Sequence, residues 1–356
     1  MAKNSKLALP RKIGLFVDDG CRNIGVLNWA KLIDRSPETE LILLDAPDLA
    51  AGKLVGIDVL LCPGGGSARQ LRAMQEAGRN AVRRFVADGG NYLGICAGCY
   101  NILNNESRLQ MLPYDYDLDA VGKTAHLAVE LNKRGARRLG VKAGTYVIRY
   151  SGGPIMHETT QLAGGTSETL AVFRSSVSEF ECAPHDFRDT PAIIAGTYGK
   201  GKVIASSVHP ESLESTQDIA CGCLYAACGV KVDPVAPVKM YRPLRVGYYG
   251  AAIIGKRCIE NMLELDRHPE VDVTLVSLNE LDCGVLNHLD ILVVPHGLAA
   301  DYRRQFAPGV RKNMFTGFLS RGGRIIASGN GYRYLPKGDG ILKIRAGKSF
   351  LPFVLQ

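Results

Sequence analysis

No apolar run in this chain approaches the ~18 residues needed to cross a bilayer, so no helical membrane span is expected. The start, Met1 to Pro10, carries lysines but no apolar core of about 7–15 residues, which argues against a secretory signal. The ten cysteines are too scattered for a disulfide framework, and free thiols in a reducing cytoplasm are expected. Cys221, Cys223 and Cys228 lie in an apolar helical stretch and fall short of the paired spacing and four ligands of a zinc site, so no metal is expected. No Gly-Lys-Ser/Thr closes the glycine-rich turns, and Gly64-Gly65-Gly66 lacks dinucleotide spacing, so no cofactor is called for. The basic run Lys133-Arg134-Gly135-Ala136-Arg137-Arg138 lacks aromatic neighbours and reads as an exposed turn, not a nucleic-acid site.

What is present is an ordinary globular composition, 46% apolar and 22% charged over 356 residues. That length predicts two domains and a core that needs no staple. The net charge of +8 is uneven: 26 basic and 25 acidic residues up to Pro234, then 17 basic and 10 acidic. A basic second half would attract an anion, RNA or an acidic partner; the blander reading is a solvated face. The oligomeric state, self-association included, is left open.

Two stretches repeat one pattern. Ile13 to Val17 and Leu244 to Tyr249 read as opening strands, followed by helical patterns over Ile24–Ile33 and Ile254–Leu265. Second strands follow over Glu40–Leu44 and Val271–Val276. Asp58-Val59-Leu60-Leu61-Cys62-Pro63-Gly64 then matches Asp290-Ile291-Leu292-Val293-Val294-Pro295-His296-Gly297, about 232 residues later. A helix follows each, Asn80–Ala87 and Val310–Leu319, then Gly89-Gly90 or Gly322-Gly323 and another strand. Short apolar strands alternating with amphipathic helices predict a parallel sheet covered on both faces. The expected domains span residues 11–232 and 243–356, with a linker over Val230–Pro243 where three prolines break propagation.

The chemistry concentrates after Gly90. In Gly94-Ile95-Cys96-Ala97-Gly98 the small residues leave room for a strained strand-to-helix turn that presents Cys96. A helix start beside the sulfur favours a thiolate. Backbone N–H groups at Ala97 and in the Pro63-Gly64-Gly65-Gly66 turn are candidate oxyanion donors. Much later, Val203 to Val208 runs out into His209-Pro210-Glu211, where His209 would be the base and Glu211 its orienting carboxylate. Cys99 makes a Cys-x-x-Cys with Cys96, but redox chemistry would need both thiols exposed. Tyr150-Ser151-Gly152-Gly153-Pro154 reads equally as a plain turn or as backbone approaching a ligand near Cys96. Pro113 to Asp119 interleaves acidic and aromatic residues, as a solvated loop or a pocket lining. In the second repeat Gly329 stands opposite Cys96, within Ala327-Ser328-Gly329-Asn330-Gly331, and no His-Pro-Glu follows.

The elbow resembles that of the class I glutamine amidotransferases, and His209-Pro210-Glu211 is similar to their terminal motif. The nearer resemblance is to the amidotransferase-like domain at the N-terminus of biotin-protein ligases. It rests on Cys62-Pro63-Gly64-Gly65, the Cys96 elbow with Tyr100 following, Tyr150 to Pro154, and Tyr198-Gly199-Lys200-Gly201. The resemblance covers about residues 11–230. It implies a flavodoxin-like fold, a Cys96–His209–Glu211 triad, and substrate contacts from Gly64, Gly65, Ala97, Tyr100, Gly152 and Gly153. Many glutaminases of the family carry Gln where this chain has Tyr100, which puts glutamine as substrate in question. No glycine- and arginine-rich nucleotide loop follows, so biotin transfer is not expected. The expected function is a cysteine hydrolase or amidotransferase acting on a small amide or acyl substrate. The alternatives are an idle metabolite-binding or scaffold protein, and a small-peptide hydrolase.

Overall fold

A computed structural model describes residues 9–21, 24–117, 124–159, 166–177, 186–251, 255–306 and 311–356. In chain order the first elements are β1 (Arg11–Phe16), α1 (Ile24–Asp34), β2 (Thr39–Leu44), α2 (Ala46–Ala50), β3 (Val59–Cys62), α3 (Ser67–Ala87), β4 (Asn91–Ile95) and α4 (Ala97–Asn101). Then come β5 (Tyr114–Asp117), β6 (Thr124–Leu131), α5 (Lys133–Leu139), β7 (Gly144–Ser151), β8 (Ile155–Glu158), β9 (Ser167–Phe173), β10 (Pro191–Tyr198), β11 (Gly201–Ser206) and α6 (Gln217–Cys228). The remainder holds β12 (Leu244–Tyr249), α7 (Lys256–Arg267), β13 (Val271–Val276), α8 (Leu278–Asp282), β14 (Ile291–Val294), α9 (Ala299–Gln305) and α10 (Lys312–Ser320). It ends with β15 (Arg324–Ser328), α11 (Asn330–Arg333), β16 (Ile341–Ile344) and α12 (Leu351–Val354).

By its contacts the chain forms two units, residues 1–16 with 32–235, and 17–31 with 236–356. In the first, the strand order is β2-β1-β3-β4-β11-β10-β9-β6-β7. Its five-strand start is parallel throughout and has the 2-1-3-4-5 order of flavodoxin-like folds. Beyond this expected parallel sheet, β10, β9, β6 and β7 extend it through antiparallel pairings. The physical reason is connection length: only two residues separate β10 from β11, and a parallel crossover needs a dozen or more.

In the second unit β13-β12-β14-β15-β16 is parallel and has the same order. Equivalent devices recur at equivalent places. Asp58 accepts from the Lys12 N–H, and Asp290 from the Arg245 N–H, each at 2.8 Å. Phe85 packs on Gly90, and Phe318 on Gly323, so closely that neither glycine has room for a Cβ. The second core gathers Tyr249, Tyr302, Phe306, Phe315 and Phe318. Phe306 has ring centroids 5.0, 5.3 and 5.2 Å from Tyr249, Tyr302 and Phe315, contacts worth about 0.5–1.5 kcal/mol each beyond buried area.

Several local expectations change. Lys133–Leu139 is a helix, not an exposed turn, because the Asn132 side chain accepts the Gly135 N–H at 2.7 Å and caps it. Pro113 leads into β5, which pairs with β8 instead of forming a loop; Leu118 and Asp119 lie outside the described residues. The helix expected over Asn80–Ala87 is the end of Ser67–Ala87, in which two helical stretches meet at a kink where Gln75 has φ 54°. The expected helix starts Ile254 and Val310 also lie outside the described residues. Residues 231–240 carry neither helix nor strand. Among the described residues, no helix is long and apolar enough to cross a membrane.

Candidate active site

β4 ends at Ile95 and α4 begins at Ala97, so Cys96 alone turns the chain. It does so at φ 51° and ψ −98°, a conformation that costs a non-glycine residue about 1–3 kcal/mol. Its neighbours hold it there. The Cys96 N–H donates to the Ser206 carbonyl at 2.7 Å, and the Tyr92 hydroxyl donates to the Gly98 carbonyl at 2.9 Å. Gly98 lies against the end of β3, where a Cβ would sit 1.9 Å from the Cys62 carbonyl oxygen. The small residue two places after the sulfur is thus a packing requirement.

His209 follows β11 by three residues. Its N–H donates to the Arg149 carbonyl at 2.8 Å, which ties it to β7. Pro210 begins a single 3-10 turn, and this brings Glu211 back to the ring. His209 Nδ1 then donates to Glu211 Oε1 at 2.8 Å, with the histidine 0% and the glutamate 1% exposed. Burial alone would push the imidazole down, but the Glu211 carboxylate and then the Cys96 sulfur outweigh it and raise the ring from 6.5 to about 10. The three side chains therefore act as one cluster. The sulfur lies close to the ring, yet among the described residues neither His209 Nε2 nor Glu211 Oε2 has a hydrogen-bond partner. The Cys96 thiol instead donates to the Ser151 carbonyl, at 3.5 Å.

The remaining expected residues surround this cluster unevenly. The 63–66 turn leaves β3 beside β4, at the elbow end of the sheet, with Gly64 buried and Gly65 exposed. Ala97 is buried and opens α4, where the first N–H groups of a helix have no intrahelical acceptor. Gly152 and Gly153 join β7 to β8, and Gly153 packs directly on the Ser207 carbonyl. Tyr100 is 6% exposed and its buried hydroxyl has no partner. Burial, then the nearby Tyr150 and Cys96, push that phenol up. Its ring is clamped by Tyr116, 5.1 Å away edge-on, and by the Arg108 guanidinium at 5.9 Å. Cys96 itself is only 3% exposed.

Cys99 is fully buried, its thiol pushed well above the ordinary range by that burial, and it faces the Met156 sulfur at 3.6 Å. That environment does not suit a redox partner. Cys221, Cys223 and Cys228 all lie on α6, and no metal-ligating cluster occurs among the described residues. In the second unit Gly329 adopts φ 51° and ψ −124°, the same turn without the thiol. His296 fills the vacated space: a Cβ on Gly329 would lie 2.2 Å from its Nδ1. Sequence reasoning missed His296, although its signal was there, as the departure from Gly64 in the repeated Pro-Gly turn. It also missed Gln70, Asn101 and Arg108, which no motif marks.

The biotin-protein ligase N-terminal family model matches residues 55–105, from just before β3 through the elbow. The phosphoribosylformylglycinamidine synthase subunit PurQ of Rhodopseudomonas palustris strain BisB18 is 33% identical over 173 residues, 44% of this chain and 71% of that protein. PurQ of strain CGA009 is 32% identical over the same length and coverage. Among solved structures, a β-galactosidase from Rahnella sp. R3 aligns with a TM-score of 0.41 and 17% identity, over 63% of this chain and 32% of that one. A glutamine amidotransferase from Thermotoga maritima aligns at 0.39 and 12% identity, over 61% of this chain and 83% of that one. With 33% identity across 71% of PurQ, and a biotin-protein ligase N-terminal match that includes the elbow, the chain belongs to the class I glutamine amidotransferase-like superfamily.

Proposed function

We propose that residues 11–232 form a cysteine hydrolase or amidotransferase domain acting on a small amide or related acyl compound. The Cys96 thiolate attacks the carbonyl carbon, and the carbonyl π electrons move onto oxygen. N–H groups of Gly65 and Ala97 stabilise that oxyanion. The C–N bond then breaks, His209 gives its proton to the leaving amine, and a thioester remains on Cys96. Water or an acceptor amine attacks the thioester, His209 takes the proton, and the sulfur leaves as thiolate. Glu211 keeps Nδ1 protonated and supports the imidazolium. Tyr100, Gly152 and Gly153 contact the substrate.

The observation that carries this reading is the buried His209–Glu211 pair, whose ring is also charged up by the Cys96 sulfur. We assign residues 243–356 to a non-catalytic domain, because His296 fills the space where a nucleophile would project. A second reading, an idle metabolite-binding protein, draws on the 3% exposure of Cys96 and on Tyr100 in place of the glutaminases' Gln.

The test is the rate of iodoacetamide modification near neutral pH, read by peptide mapping. Cys283 is exposed and would react regardless, so the measurement is made with Cys283→Ser. Cys96 is expected to react ahead of the other cysteines and to slow in His209→Ala. Indifference of Cys96 to the histidine would favour the idle protein.

A further inference from the structure

A cavity of about 370 Å³ lies between α3 and the turn after α4, lined by Ala68, Leu71, Arg72, Gln75, Arg79, Ser107 and Arg108. Its size falls in the range of small-molecule sites, and three arginines are among its lining residues. Their compensation is poor. Arg79 pairs with Glu76 at 3.0 Å, a carboxylate that is 71% exposed, and its Nε donates to the Gln75 carbonyl at 3.1 Å. Among the described residues the Arg108 side chain has only neutral partners: the Ser67 and Tyr116 hydroxyls and the faces of Tyr100 and Tyr116. The Arg72 side chain has no ion pair or hydrogen bond among the described residues. Arginines with spare N–H donors around one cavity favour an anion with several acceptor oxygens, above all a phosphate. Gln75, at φ 54° where the two stretches of α3 meet, lines the same cavity. Strain of that kind is retained at ligand sites more than elsewhere.

Arg108 also ends a chain of hydrogen bonds that reaches the elbow. Its Nη1 donates to Ser67 Oγ, and that hydroxyl donates to Asn101 Oδ1 at 2.7 Å. Asn101 Nδ2 donates to Gln70 Oε1 at 2.8 Å, and Gln70 Nε2 donates to the Pro63 carbonyl at 2.9 Å. Asn101 and Gln70 are fully buried, so neither can exchange these partners for water. Asn101 is the last residue of α4, and Pro63 opens the glycine turn proposed as an oxyanion donor.

We propose that this cavity binds a small phosphate monoester, and that Arg108 transmits its occupancy to the Cys96 elbow. An anion recruits the guanidinium and loosens its hold on Ser67, so the Ser67–Asn101–Gln70–Pro63 chain resets. Binding does not depend on the Cys96 chemistry. Only the consequence, a change in a reactive site, rests on the function proposed above, so a protein that binds phosphate but never acylates would separate the two.

The test is calorimetric titration of the full chain with glycerol 3-phosphate, inorganic phosphate, glycerol and a short single-stranded RNA. Both phosphates should bind and glycerol should not. Arg72→Ala and Arg79→Ala should each weaken binding about tenfold, a loss of about 1.4 kcal/mol. Both residues lie outside the proposed catalytic cluster. Saturating glycerol 3-phosphate should change amide exchange at residues 96–101 at least about twofold, and the change should vanish in the Arg72→Ala, Arg79→Ala double variant. Absence of phosphate binding, affinity indifferent to both substitutions, or RNA binding that phosphate does not displace would overturn the site. Unchanged exchange at the elbow with the phosphate bound would overturn the transmission.

Discussion

Replacing Glu211 by Gln removes a charge while keeping the shape and the hydrogen bond to His209 Nδ1. In the native cluster the imidazole is raised from 6.5 to about 10, against the burial that would lower it. A basic group raised on folding contributes stability fully below its unfolded value, near 6.5, and loses it as pH climbs through the folded value near 10. At about 1.36 kcal/mol per unit, that window is worth at most about 5 kcal/mol. Without the carboxylate, burial dominates, the ring is neutral at pH 7, and the window closes. Urea unfolding of the wild type and Glu211→Gln at about pH 7 and about pH 9.5, each in a Cys96→Ala background that removes the coupled thiol, isolates the term. The wild type is expected to lose several kcal/mol more than the variant over that interval. Parallel pH profiles would refute the assignment of the shift to Glu211, and with it the imidazolium that the mechanism uses.

Three further outcomes follow from packing. Gly98→Ala places a Cβ 1.9 Å from the Cys62 carbonyl and should cost about 3 kcal/mol or more by thermal melting; an unchanged melt would mean the elbow is looser than described. Tyr100→Phe removes a buried hydroxyl with no partner, so stability should hold or rise by up to about 1 kcal/mol, while turnover of a substrate that uses the hydroxyl falls. Asn132→Ala uncaps α5 and should cost about 1 kcal/mol in urea unfolding; a neutral result would place the helix start elsewhere.

The duplicated sheet was legible because its signals are local and repeat. Strand periodicity, the Pro-containing turn after β3 and β14, and the paired glycines under Phe85 and Phe318 recur in order. Cys96 and its glycines were legible because a strained turn tolerates few residues. The antiparallel extension was not, since which strands β6, β7 and β9 pair with, and in which direction, depends on partners distant in the chain. The helix over Lys133–Leu139 was missed because its basic residues suggested exposure, while its cap, Asn132, and its buried Gly135 lay among them. The Arg108–Ser67–Asn101–Gln70 chain had no sequence signature, because its members meet only when α3 and α4 are folded. Burial of Cys96 was likewise invisible, for exposure is a property of the packed chain.

Acid-quenched mass spectrometry of the protein incubated with an activated acyl probe asks the central question most directly. The account predicts a single acyl group, mapped to the peptide containing Cys96, labile to hydroxylamine as a thioester is, and lost in Cys96→Ala. An acyl group found only on other cysteines, or none on Cys96 when substrate is turned over, would contradict it.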